Sequence, residues 1–164
     1  MIPEYLTRLD NIQILDSQKN DKESLENLII GKAYKEFLKT DAARAEKIDI
    51  LLALDYIHEN LLSRSLSVQQ VITKCRIRTH AFHERFASEV ALSSNVRRTP
   101  GKYIEWARIQ VARRILDNNS NGYYMAELAY KVGFASYPSF YRACRKHLGC
   151  KPSDILGMSS TAAN

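Results

Sequence analysis

Apolar residues recur along most of this chain at intervals of three and four, the period that gathers them on one side of a helix. Residues 1–20 are the exception, because "NIQIL" alternates only weakly and fits either a short strand or an irregular arm. From Asp21 the helical spacing sets in. Leu25, Leu28, Ile29, Ala33, Phe37 and Leu38 share a face, Asp21 and Ser24 offer caps, and Gly31 weakens the middle. The polar run "KTDAARAE", residues 39–46, fits a linker or a continuing helix. "KIDILLALDYIHENLL", residues 47–62, predicts an amphipathic helix with Ile48, Leu51, Leu52, Ile57 and Leu61 available to a core.

Shorter elements follow. Ser67 caps a helix that starts at Val68 and turns Val68, Val71 and Ile72 inward; Thr79 caps the next, which turns Phe82 and Phe86 inward. Residues 95–122 hold a long helix with Thr99 ahead of Pro100 at its first position and "NNSNG" at its close. Tyr103, Ile104, Trp106, Ala107, Val111 and Leu116 form its buried side, with Trp106 in the core or at its edge rather than serving as a ligand platform. "MAELAYKV" predicts a short helix, "SYPSFYRACRKHL" a sharply amphipathic one, and "KPSDIL" a last turn started by Pro152.

Two of these pieces repeat. Val71, Ile72, Cys75 and Ile77 align with Leu128, Ala129, Val132 and Phe134 at an offset of 57, and Phe82 and Phe86 align with Phe140 and Cys144 at an offset of 58. Each copy is a short helix, a turn and a second helix, a helix-turn-helix pattern. Gly133 accounts for the turn in the second copy, since a sharp reversal favours a residue that accepts positive φ without steric cost. Arg76 holds the same place in the first copy. It either adopts a left-handed conformation at some cost or the first turn is built differently.

Charge changes the picture. The formal net charge is +6, and it is uneven: residues 1–46 carry 7 Lys+Arg and 9 Asp+Glu, leaving 17 and 9 for residues 47–164, a balance of −2 against +8. A basic C-terminal part points to an anionic partner, chiefly nucleic acid, against the plainer reading of a solvated surface. Glu4, Arg8 and Asp10 interrupt any secretory apolar run, and no segment is long and apolar enough for a membrane span. Cys75, Cys144 and Cys150 are odd in number and lack paired zinc-site spacing, which predicts reduced thiols and a cytoplasmic location.

The stretches "YIEWARIQVARRIL" and "AELAYKVGFASYPSFYRACRKHLGCKPSDI" resemble the DNA-binding domain of AraC/XylS transcription regulators, over roughly residues 48–156, the size of one domain. Leu128-Ala129, Val132-Gly133-Phe134, Phe140, Arg142-Ala143, Gly149 and Pro152-Ser153 sit at family spacing, as do Arg108-Ile109, Ala112 and Leu116. The first copy departs from the pattern. Arg78 stands where the family caps with Ser, "ASEVALSSNVRRTP" lengthens the connection after Phe86 and lacks the usual Gly, and Cys144 in the second copy replaces a core phenylalanine.

The resemblance implies base contacts at Tyr137, Pro138, Ser139 and Arg142 on one reading helix and at His80, His83 and Glu84 on the other. With Phe140 and Cys144 inward, the helical period also turns Tyr137, Pro138, Ser139, Tyr141 and Arg142 outward. Arg142 suits guanine O6 and N7, and Glu84 suits cytosine N4. Thr79, Arg85, Lys131, Ser136, Arg145 and Lys146 are candidates for the phosphate backbone. His80 and His83 form an H-x-x-H pair on one helix face, but nothing completes a metal shell, so no metal and no cofactor are expected. His58 and His147 read as ordinary edge histidines. There is no Gly-rich phosphate loop, no Ser/His/Asp constellation and no Pro-Cys-His-Arg box of the kind found in alkylation-repair modules fused to similar domains, so the chain reads as no enzyme.

The expectation is an all-α protein. An N-terminal helical appendage (residues 1–46) packs on the rest, dimerises or meets a partner. A double helix-turn-helix domain (residues 47–157) has its units joined by a long helix at 100–118, and residues 158–164 form a flexible tail. The expected function is sequence-specific binding of double-stranded DNA at the bacterial nucleoid, as a monomer reading two adjacent major-groove segments. The appendage is too short for the sugar-binding barrel of many such regulators, so no small effector is expected. The other reading is a protein-interaction module docking on RNA polymerase or another regulator, motivated by the divergent first copy.

Overall fold

The computed structural model describes residues 21–94, 96–118 and 124–158. Among the described residues the chain is all-helical: α1 (Asp21–Thr40), α2 (Ile48–Asn60), α3 (Val68–Lys74), α4 (Phe82–Ser94), α5 (Pro100–Asn118), α6 (Met125–Lys131), α7 (Tyr137–Leu148) and α8 (Pro152–Met158). The paired units are α3–α4 and α6–α7, and α5 joins them at the bounds expected from Pro100 and the polar run after Leu116. "NIQIL", "NNSNG" beyond Asn118 and the tail after residue 158 lie outside the described residues.

The core gathers around α5. Helices α1, α4, α7 and α8 all pack on it, so Tyr103, Ala107, Ile109, Val111, Ile115 and Leu116 are buried on several sides rather than along one stripe. Trp106 sits at the core's edge, as its size and polar N–H favour. The Phe37 ring on α1 meets the Trp106 ring edge-on with centroids 5.8 Å apart. The loop after α1 is tied in as well: the Ala43 amide donates to the Tyr103 hydroxyl at 2.9 Å, and Arg114 donates to Thr40 Oγ1 at 2.9 Å and pairs with Asp41. Of the roles open to the N-terminal helix, packing on the remainder of the chain is one it fulfils.

Two apolar faces differ from expectation. On α1, Ala33, Phe37 and Leu38 are buried together with Ile30 and Tyr34, whereas Leu25 and Leu28 are 57% and 69% exposed. The buried stripe continues backward to Glu26, which pairs with Lys131 of α6, so an ion pair occupies the position where Leu25 was expected to pack. On α2, Ile57 and Leu61 are buried as expected, but Ile48, Leu51 and Leu52 are 75%, 39% and 50% exposed. The stripe Ile48, Leu51, Leu52 runs into Asp55 and Glu59 one and two turns on. The stripe Ile50, Ala53, Leu54, Ile57, His58, Leu61 runs the whole helix, and its single polar member finds a partner in the core.

That member is His58. It is 1% exposed rather than an edge residue, and its Nε2 lies 2.7 Å from the Tyr103 hydroxyl. Burial holds its pKa down at about 4, so the folded protein carries it neutral. The unfolded chain takes up a proton near pH 6.5 that the fold refuses until about pH 4. The His58 contribution is therefore intact above pH 6.5 and is lost as pH falls from there towards 4, to a limit of about 3 kcal/mol. Urea unfolding across a pH series should show wild type losing more stability than His58→Gln between pH 7 and 4. Equal losses would mean that His58 is not held neutral.

Candidate nucleic-acid interface

The second unit is well formed. Ser136 is extended (φ −153°, ψ 154°) and its Oγ accepts from the Ser139 amide at 3.4 Å while meeting the Ser139 hydroxyl at 3.0 Å. This caps α7, and Tyr137 and Pro138 follow in its first turn, where a missing proline N–H costs nothing. α7 buries Phe140, Ala143 and Cys144, and the Phe134 ring meets Phe140 edge-on at 5.3 Å. Burial pushes the Cys144 thiol up to about 12, so it stays a neutral core group. Gly149 closes the helix at φ 73°, its amide donating to the Arg145 carbonyl at 3.1 Å. The outward face that remains carries Pro138 and Arg142 exposed, with Tyr137 half-buried against Phe140 and Ser139 partly covered. The Arg142 guanidinium lies 3.5 Å from the Ser139 hydroxyl and reaches past it to solvent.

The first unit is built differently at the corresponding place. Phe82 and Phe86 are fully buried and Arg76 adopts φ 52° where the second unit has Gly133 at φ 96°. The left-handed alternative is thus the one realised. A second left-handed residue, Ala81 at φ 55°, has no counterpart in the other copy. It ends the turn just before α4, so Thr79, His80 and Ala81 lie ahead of the helix while Tyr137, Pro138 and Ser139 lie within theirs. The cause is local. Arg78 replaces the capping hydroxyl of Ser136, and Thr79 contributes only its carbonyl, which accepts from the Phe82 amide at 3.2 Å. His80 and His83 therefore do not share a helix face as the sequence suggested; both are exposed, as is Glu84, but His80 sits in the turn. Among the described residues no cluster of His, Cys, Asp and Glu could hold a metal ion.

The basic candidates separate by their partners. Arg145 and Arg142 are exposed. Arg85 is held by Asp49 at 2.9 Å and ties α4 to α2. Lys131 pairs with Glu26 and, at 3.2 Å, with Glu127. Burial alone would pull its pKa down, but the two carboxylates outweigh it and hold the ammonium above the ordinary lysine value. Lys146 reaches Glu105 at 2.6 Å, and His147, read from the sequence as unremarkable, meets the same oxygen at 2.7 Å.

Arg108 is the residue whose role the sequence concealed. It is 8% exposed. Its Nε donates to the Leu61 carbonyl at 2.9 Å and its Nη2 to the Ser63 carbonyl at 2.7 Å, satisfying the chain end of α2. A Cβ on Gly133 would stand 2.7 Å from Arg108 Nε and 2.9 Å from the Leu61 carbonyl oxygen. Gly133 is therefore required by space as well as by φ. The sequence signal was a lone arginine amid the apolar positions of α5.

Known proteins carry the same pattern. Residues 80–158 match the family model described as a helix-turn-helix domain, one of the AraC/XylS type. The chain is 26% identical over 106 residues to the protein named transcriptional activator RhrA of Rhizobium meliloti (strain 1021), covering 65% of this chain and 32% of that one. It is 21% identical over 131 residues to the protein named probable transcriptional regulator LumQ of Photobacterium leiognathi, covering 80% of this chain and 49% of that one. The chain thus spans a third to a half of the length of these curated relatives. No solved structure matches. No described helix is long and apolar enough to cross a membrane.

The unequal caps are testable. Ser136→Ala should cost about 1 kcal/mol in denaturant unfolding, whereas Thr79→Ala should cost little. An equal loss for Thr79→Ala would mean that its hydroxyl caps α4 after all.

Proposed function

We propose that the chain binds double-stranded DNA by sequence and regulates transcription, acting in the cytoplasm on the nucleoid and not as an enzyme. The observation that carries this reading is the presence of two helix-turn-helix units on one core, each with an exposed polar stretch at the entry to its second helix. A helix end of this kind fits the major groove, where base edges present a full donor and acceptor code. The names of the relatives agree with it.

In this reading Tyr137, Pro138, Ser139 and Arg142 face bases in one groove segment, with Arg142 as the guanine-directed donor. His80, His83 and Glu84 face the next. Thr79, Ser136, Arg85, Lys131, Arg145 and Lys146 flank them towards the phosphates. Arg145 carries the largest electrostatic share, because Arg85, Lys131 and Lys146 already meet carboxylates. One chain holds both units, so the site is an asymmetric pair of segments bound by a monomer, with RNA polymerase as the further partner that regulation calls for.

Arg142→Ala tests the reading. It should leave the melting temperature nearly unchanged, weaken the selected site by about 1–3 kcal/mol and relax base choice at one position. Phe140→Ala should instead cost about 3–5 kcal/mol of folding stability. A change at Arg142 that alters neither affinity nor base preference would overturn the assignment of α7. The phosphate side is tested separately. Arg145→Ala should weaken all sequences alike and lower the salt slope by about one, while Lys131→Ala should lower stability with little change in slope. A palindromic selected site holding two chains would overturn the monomer.

A further inference from the structure

The chain that closes α2 meets the second unit beside its turn. The Leu61 carbonyl, at the end of α2, the helix that packs on α3 and α4, lies against the Gly133 turn of the second unit, with the Arg108 guanidinium beside both. Arg108 belongs to α5, the helix that joins the units, and its second donor takes the Ser63 carbonyl. Its Cζ also lies 5.9 Å from the centre of the Phe134 ring, the residue after the turn. Beside this buried contact, Arg64 from the α2–α3 loop lies over the Tyr130 ring of α6 at 5.4 Å, an exposed second link between the same two pieces. Three elements are thus bound to one another next to the turn that precedes α7.

We propose that Arg108, seated against Gly133 and reinforced by the Arg64–Tyr130 stack, sets the distance and angle between α4 and α7, and thereby the spacing of the two DNA segments the chain accepts. This rests on the DNA reading above. Arg108 is a positioning residue: it is buried, so it acts on DNA through the placement of the helices. A guanidinium suits the task because its rigid fork holds two carbonyls at fixed directions, whereas an ammonium is a point donor on a flexible stem. A joint of this kind converts the internal geometry of the protein into a spacing rule, since one added base pair displaces the second segment by about 3.4 Å and turns it by about 35°.

The test uses the full chain and a duplex site selected from a random library, with one or two base pairs inserted or removed between the two protected segments. Wild type should lose about tenfold or more in affinity for a one-base-pair change. Arg108→Lys, which keeps the charge, should shrink that ratio towards one while binding the original spacing less tightly. Arg64→Ala, an exposed change that spares the core, should shrink it in the same direction and keeps the test sound where Arg108→Lys fails to fold. Residual dipolar couplings of the free protein give a readout independent of DNA: wild type should fit one alignment tensor for both units, and the variants two. Variants that weaken every spacing alike and still fit one tensor overturn the joint and leave the DNA reading standing. A wild type indifferent to spacing overturns the two-segment reading, and the spacing rule falls with it.

Discussion

A single buried cation, Arg108, holds the architecture at its crossing point. Two carbonyls from the end of α2 take its protons at 2.9 and 2.7 Å, and burial lowers its pKa only to about 10, so it remains charged. Removing it would orphan the buried Leu61 carbonyl, at about 1–3 kcal/mol, whereas the Ser63 carbonyl belongs to an exposed residue and can turn to water. The consequence extends past the helix end, because the turn of the second unit leans on the same guanidinium. The chain end of α2, the middle of α5 and the α6–α7 turn are thereby fixed by one side chain, and the remaining packing of Tyr103, Ile115 and Phe140 around α5 can be apolar and unspecific in direction.

The two units are copies in plan and unequal in build. The second has a hydroxyl at its cap, a glycine in its turn and proline in the first turn of its outer helix, so its outer residues stand on regular backbone. The first has arginine at both the cap and the turn positions and an alanine forced to φ 55°. Left-handed backbone in residues with a Cβ costs about 1–2 kcal/mol each, and Arg76 and Ala81 both bear it. Arg85 answers part of this by clamping α4 to Asp49 on α2. The family match, which begins at residue 80, leaves α3 outside it, in keeping with the weaker likeness of this unit.

Much of the fold was legible. The bounds of α5 followed from Pro100, the repeat located both units, and the inward set Phe82, Phe86 and Phe140 is buried as read. Errors arose where a helix offers two apolar stripes. On α2, Leu51 and Leu52 look as suitable as Leu54, and the decision rests on His58 finding Tyr103 across the core, a contact 45 residues away that periodicity does not encode. The exposure of Pro138 and Arg142 was readable because Phe140 and Cys144 fix the orientation of α7. Glu127 stands four residues before Lys131 on the same helix and was readable, but Glu26 on Lys131 and Asp49 on Arg85 come from other helices and were not. Arg108 was visible as a position but not as a contact, because its acceptors are backbone atoms and leave no mark in the sequence.

The crowding at Gly133 also constrains how this protein can diverge. A methyl group there collides with Arg108 Nε and with the Leu61 carbonyl, so the first step away from glycine meets both a side chain and a backbone. Shortening Arg108 beforehand would clear one obstacle and leave the other, together with the penalty of φ 96°. The two positions are therefore epistatic, with effects that do not add, and every order of substitution passes through an intermediate less stable than the start. Substitution at this pair disturbs the frame, whereas a change at an exposed position such as Arg142 alters the outer face and leaves the frame intact.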